Sequence, residues 1–133
     1  MNWNRVLGAG VVSGIVVNLV DFVLHGQVMA ATYKKYDTVF RQTEANPLHF
    51  FAVAIAIGIF GAMLFARTRS SWAEGWKGGA TFGLFLGLAL FFHNFYNPLV
   101  IADFPYYLSW CWGGIGVIDG VVGGAVMGAI VKR

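Results

Sequence analysis

Charge is what this chain has least of. Only 11% of its 133 residues are charged, whereas soluble domains carry about 25%. With 58% of residues hydrophobic, there is too little charge to cover a water-facing surface. Cysteine is nearly absent too. Cys111 stands alone, which excludes an intrachain disulfide and leaves the redox compartment unread. No CxxC, HExxH, P-loop or strand-to-helix GxGxxG motif is present, so the common metal, redox and nucleotide signatures are missing. Proline occurs three times, at positions 47, 98 and 105, never inside a long apolar run. The net charge of +3 is no nucleic-acid footprint, because the basic residues sit in short stretches between apolar runs.

What is abundant is apolar length, with 17% aromatics and 18 glycines, both raised in membrane bundles. A bilayer-spanning helix needs roughly 20 mostly apolar residues. Four stretches meet this, at about 6–29, 48–66, 78–96 and 106–131. Pro47 and Pro105 precede the second and fourth, and Pro98 follows the third, as expected of helix ends. The expected fold is an all-α, single-domain bundle of four transmembrane helices in contact with the lipid bilayer. The first span has the basic start of a signal peptide, but Asn18, Asp21 and His25 interrupt its apolar run, so it is expected to remain as a helix.

Lys and Arg counts set the expected orientation. With the N-terminus inside, the inner segments hold Arg5, Arg67, Arg69, Lys77, Lys132 and Arg133, and the outer ones only Lys34, Lys35 and Arg41. Both termini are therefore expected in the cytoplasm. Trp3, Trp72 and Trp76 would then form the inner aromatic belt, and Tyr106, Tyr107, Trp110 and Trp112 the outer one. In the first outer loop, Tyr33, Tyr36 and Phe40 recur at helical spacing opposite Lys34, Lys35, Asp37 and Arg41, which predicts a short interfacial helix over 32–44. Trp3, Gly10, Gly14 and Asp21 recur 73 residues later as Trp76, Gly83, Gly87 and Asn94, the pattern of two repeated helical hairpins.

Glycines fall every fourth residue at Gly10 and Gly14, at Gly79, Gly83 and Gly87, and at Gly116, Gly120, Gly124 and Gly128. In lipid, apolar side chains gain little by leaving their surroundings, and small residues drive association by letting backbones approach. These stripes predict close helix contacts, within the chain or with a partner in a homo-oligomer or larger membrane complex.

The polar residues within the spans are the candidate site. Asn18, Asp21 and His25 share one face of the first helix. His93 and Asn94 end the third span, His49 opens the second, and Asp119 lies among the glycines of the fourth. A carboxylate in a membrane costs roughly 2.5–3.5 kcal/mol on insertion scales, so Asp21 and Asp119 should face the interior, be paired or be protonated. No Lys or Arg lies deep in a span to pair with them. The expected ligand or proton pocket comprises Asn18, Asp21, His25, His93, Asn94 and Asp119. His25, His49 and His93 are the weak metal candidates, lacking any ligand-pair spacing, and His25 or His93 the candidates for haem or chlorin ligation. For His49 an ordinary interfacial histidine is the better reading, and for Asn18 and Asn94 structural hydrogen bonding.

Met1-Asn2-Trp3, the Gly-rich first helix ending in Asn18-Leu19-Val20-Asp21-Phe22, and the two-hairpin layout resemble a group of small, uncharacterised four-helix bacterial membrane proteins. The resemblance implies a bacterial inner membrane and brings no activity. The leading expectation is a non-enzymatic binding or accessory protein, holding a lipid-like or flat apolar ligand or docking on a larger complex. The alternative is a small proton-coupled transporter, and the third reading a metal- or haem-dependent membrane enzyme.

Overall fold

Each long helix starts where the sequence supplies a stop to extended chain. Asn2 precedes α1 (Trp3–Val23) and its side-chain oxygen accepts the Arg5 N–H at 3.2 Å. Asn46 does the same for α3 (Pro47–Arg67), accepting from Leu48, with Pro47 in the first turn where its missing N–H costs nothing. Gly75, at a φ of +72°, turns the chain into α4 (Gly75–Phe91), and Pro105 precedes α6 (Tyr106–Ile130). Two short helices complete the set, α2 (Ala30–Lys35) and α5 (Asn97–Val100). This computed structural model describes residues 2–132, so Met1 and Arg133, which enter the sequence arguments above, lie outside it.

Four helical segments are long and apolar enough to cross a membrane: Trp3–Val28, Pro47–Arg67, Gly75–Val100 and Tyr106–Ile130. At 1.5 Å per residue even the shortest, of 21 residues, matches a hydrocarbon core about 30 Å thick. Large side chains such as Ile57, Phe60, Phe85 and Leu99 are exposed around the outside, as expected of a lipid-facing surface. Among the described residues there is no strand.

Two antiparallel pairs make the bundle. α1 packs on α3 and α4 packs on α6, while a less extensive seam joins α1 to α6. Within each pair glycines remove the side chains that would hold the backbones apart. A Cβ built on Gly10 would lie 2.5 Å from Ile59 Cα, and one on Gly14 would lie 2.5 Å from Ile55 Cα. Gly79 faces Gly124 and Gly128, Gly83 faces Gly120, and Gly87 faces Val117. Gly116 differs from the rest of its stripe, with open space where its side chain would be. On the α1–α6 seam, buried Ser13 donates to the Gly123 carbonyl at 3.1 Å.

Two apolar clusters cap the bundle. At the end carrying the described termini, Val6, Ala62, Phe65, Phe82, Met127 and Val131 pack together. Buried beside them is Arg69. Its Nε donates to the Val131 carbonyl and its Nη1 to the carbonyls of Trp72 and Ala73, each at 3.1 Å, with the guanidinium over the Phe65 ring. A cation at the C-terminal end of α6 meets both the unpaired carbonyls and the negative end of the helix dipole. At the opposite end, Met29, Phe104, Leu108 and Ile115 form the second cluster.

Several boundaries differ from the sequence reading. The first span continues past Val23 as a π-helical turn, Leu24–Val28. The third runs on as a tight turn, Phe92–Tyr96, into α5, because Pro98 falls in a helical first turn that tolerates it. The helix expected over 32–44 is limited to Ala30–Lys35, followed by a turn. Tyr33 and Phe40 do not lie flat on a surface but turn inward onto Trp112, so the spacing that suggested an interfacial face serves core packing instead. Trp112 likewise leaves the expected belt to join this cluster.

Candidate functional site

The α1–α6 seam carries the polar centre. Asp21 projects from the last turns of α1, and Asp119, from the middle of α6, lies within side-chain hydrogen-bonding reach of it. Two carboxylates offer each other no donor. Accordingly Asp21 Oδ1 and Asp119 Oδ1 are buried atoms without a hydrogen-bond partner, although each side chain remains partly exposed. A hydrogen-bond donor placed between the two groups would satisfy both oxygens.

One turn on, where α1 widens into its π-helical turn, His25 sits with Nε2 3.8 Å from Asp21 Oδ1. Such single π turns recur at functional sites because the extra residue redirects side chains. The His25 and Asp21 side chains are each 35% exposed, so the pair is not sealed. The other ring nitrogen of His25, Nδ1, is hydrogen-bonded to the Tyr33 hydroxyl. The Tyr33 oxygen in turn accepts the Trp112 Nε1–H at 2.9 Å. Phe40 and Phe104 close over this group, with ring centroids 5.9 Å and 5.3 Å from that of Trp112. Gln42 fastens the loop by donating to the carbonyls of Tyr33 and Phe40 at 3.0 and 2.8 Å. Burial pushes the Tyr33 phenol above its ordinary value of 10.0, and the Trp112 N–H pulls it partly back, so the hydroxyl stays neutral in ordinary conditions.

The remaining expected pocket residues are distributed differently. Asn18 is half-buried on α1, and its amide has no hydrogen-bond partner among the described residues. Asn94, in the tight turn after α4, donates from its side chain to the Phe91 carbonyl at 3.2 Å, and its backbone carbonyl accepts from Ser109 at 2.9 Å, so this turn is fastened to α6. His93 is exposed and packs edge-on to Tyr96. It lines an open groove of about 400 Å³ with Leu90, Phe92, Phe95 and Leu99. Among the described residues, no hydrogen bond or ring contact joins His93 to Asp21, His25 or Asp119. His49 is exposed at the start of α3. No three His, Cys, Asp or Glu side chains among the described residues converge as a metal site, so His25, His49 and His93 do not form one here.

Tyr33 and Trp112 are the site residues that sequence reasoning missed. Their periodicity and belt position explained them as interfacial aromatics, and no local pattern says that the loop folds back over His25. Comparison with protein-family models, with curated proteins and with solved structures finds no match to this chain.

Proposed function

We propose that this protein is a small proton-coupled carrier of a bacterial inner membrane, with both termini cytoplasmic, in which Asp21 and Asp119 together take and release the transported proton. Two carboxyls on helices that pack together, each with a buried oxygen that lacks a hydrogen-bond partner, are the observation that carries this reading. Such a pair has one vacant donor position, which a proton fills without any other change. It sits on the thinner seam between two glycine-packed helix pairs, where a small relative movement alters its surroundings. His25 beside it offers an imidazole whose two ring nitrogens can accept and donate a proton.

The test uses the purified chain in sealed vesicles with a trapped pH indicator and an ionophore to balance charge. An imposed pH gradient should decay faster than in protein-free vesicles, and Asp21→Asn and Asp119→Asn should each return the rate to that of empty vesicles. Infrared difference spectra should show a carboxyl C=O band that titrates as one proton and disappears in either variant. Wild-type flux in both variants would overturn the proposal.

A second reading has its own support. The open apolar groove around His93, rimmed by Phe92, Phe95 and Tyr96, suits a lipid-like or flat ring molecule held by a non-enzymatic binding or accessory protein. A fluorescent sterol or porphyrin analogue whose binding is lost in Phe95→Ala and His93→Ala, and kept in Asp21→Asn, would favour it.

A further inference from the structure

Tyr33 carries a more specific consequence. An indole N–H is only ever a donor, so the 2.9 Å contact from Trp112 Nε1 must be received by the Tyr33 oxygen. One lone pair of that oxygen is thereby occupied, and the hydroxyl hydrogen is left to point elsewhere. His25 Nδ1 is the polar atom it meets. A neutral imidazole that accepts at Nδ1 carries its hydrogen on Nε2. Nε2 is the atom facing Asp21 Oδ1, which is itself buried and without a donor. The groups thus line up across three elements, two hydrogen bonds running from the α6 indole through the α2 hydroxyl to the imidazole of the π-helical turn, whose Nε2 lies 3.8 Å from Asp21 Oδ1.

We infer that Tyr33 is the positioning residue for His25, fixing the imidazole as its Nε2–H tautomer so that its one hydrogen faces Asp21, and covering Nδ1 against water. This rests on the proton-exchange reading above for its purpose, though not for its geometry. When the Tyr33 hydroxyl turns away, Nδ1 is free to take a proton from water. The resulting imidazolium releases its Nε2 proton to the Asp21 carboxylate, leaving a neutral ring with its hydrogen on Nδ1. One proton enters and one is passed on; once Asp21 has handed its proton onward, exchange of the remaining ring proton through water from Nδ1 to Nε2 restores the start, so each cycle moves one proton. The titratable groups facing this chain are Asp21 and Asp119 on one side and Tyr33 with Cys111 on the other.

The position of the chain supports the inference. Tyr33 belongs to the segment between the first two spans, and Gln42 ties that segment to itself through the Tyr33 and Phe40 carbonyls. The Tyr33 and His25 rings lie nearly parallel, at 15°, with centroids 6.1 Å apart. The hydroxyl is therefore presented by a folded segment rather than by a freely rotating side chain.

The test reads the tautomer directly. His49 and His93 are replaced by Asn so that His25 is the only imidazole in the full chain, which is labelled with 15N at histidine and placed in lipid bilayers. At neutral pH the neutral ring should give the nitrogen shifts of a single Nε2–H tautomer with a hydrogen-bonded Nδ1. Tyr33→Phe should convert this to a mixture of both tautomers. Trp112→Phe should also produce a mixture, because without the indole donor the Tyr33 hydroxyl hydrogen is no longer steered toward Nδ1. An Nδ1–H ring in the parent protein would overturn the inference, as would an unchanged spectrum in both variants. If Tyr33→Phe does not fold, Trp112→Phe alone decides. Proton flux keeps the two proposals apart: flux retained in Asp21→Asn removes the carrier reading and leaves the tautomer result standing.

Discussion

Substituting alanine along the single glycine stripe of α6 separates a packing contact from a mere composition. Gly116 and Gly128 are three turns apart on the same helix. A Cβ at Gly128 would lie 2.8 Å from Gly79 Cα and 2.5 Å from the Gly75 oxygen, whereas at Gly116 nothing lies within 4 Å. Carbon atoms are comfortable at about 3.5–4.0 Å, so Gly128→Ala requires α4 and α6 to part by roughly 1 Å. A gap of ~0.5–1 Å already forfeits about a quarter to a half of the contact energy along its length, and over-packing of this kind costs about 1–3 kcal/mol. Alanine returns about 1 kcal/mol through its better helix propensity, but it does so at both positions. The difference between the two variants therefore isolates the steric term, at roughly 1–3 kcal/mol in favour of Gly116→Ala. Reversible unfolding in mixed micelles, followed by circular dichroism or by steric trapping, measures both. Equal stabilities for Gly116→Ala and Gly128→Ala would refute the reasoning, and the stripe would then be no more than a string of small residues.

Three further outcomes are expected. Asp119→Asn supplies the N–H donor that Asp21 Oδ1 lacks, so the fold should be kept or gain about 1 kcal/mol while proton exchange is lost; unfolding of this variant would show that the second charge is structural. Arg69→Met keeps the apolar stem but strips the donors from the Val131, Trp72 and Ala73 carbonyls, and should cost about 1–3 kcal/mol and raise proteolysis at the C-terminal end, as read by limited digestion. A cysteine at Thr38 in a Cys111→Ser background should react with an impermeant maleimide added outside cells, and one at Asn4 should not; the opposite pattern would invert the proposed orientation.

The sequence carried the spans well because each is long and largely apolar, and Pro47 and Pro105 marked helix starts, whereas Pro98, read as following the third span, falls inside its continuation. Asp21 and Asp119 stood out in the sequence because an ionisable group at membrane depth is costly enough to demand an explanation. His93 was grouped with them by depth alone, and depth does not say which face a helix presents to which neighbour. α1 meets α3 and α6, and His93 stands in the tight turn after α4 against Tyr96. Tyr33, Phe40 and Trp112 were misplaced for a related reason. Amphipathic spacing records that one side of a segment is apolar, and both a lipid headgroup layer and a neighbouring aromatic cluster satisfy it. Arg69 was read as a topology charge, since a cation that caps a helix end leaves no mark in composition.

The bundle's contacts are unevenly divided, and this has a mechanical meaning. Where glycines let backbones touch, as between Gly83 and Gly120 or Gly14 and Ile55, sliding one helix along the other drives backbone into backbone. Each pair should therefore behave as a stiff plank. The seam between α1 and α6 is lighter, with Ser13 on Gly123 as its hydrogen-bonded point and the two aspartates further along. Strain from lateral tension or bilayer thinning would concentrate in this seam, as load concentrates at the joint between two boards. The separation of the two aspartates would then follow the mechanical state of the membrane, and a change of lipid chain length would alter it.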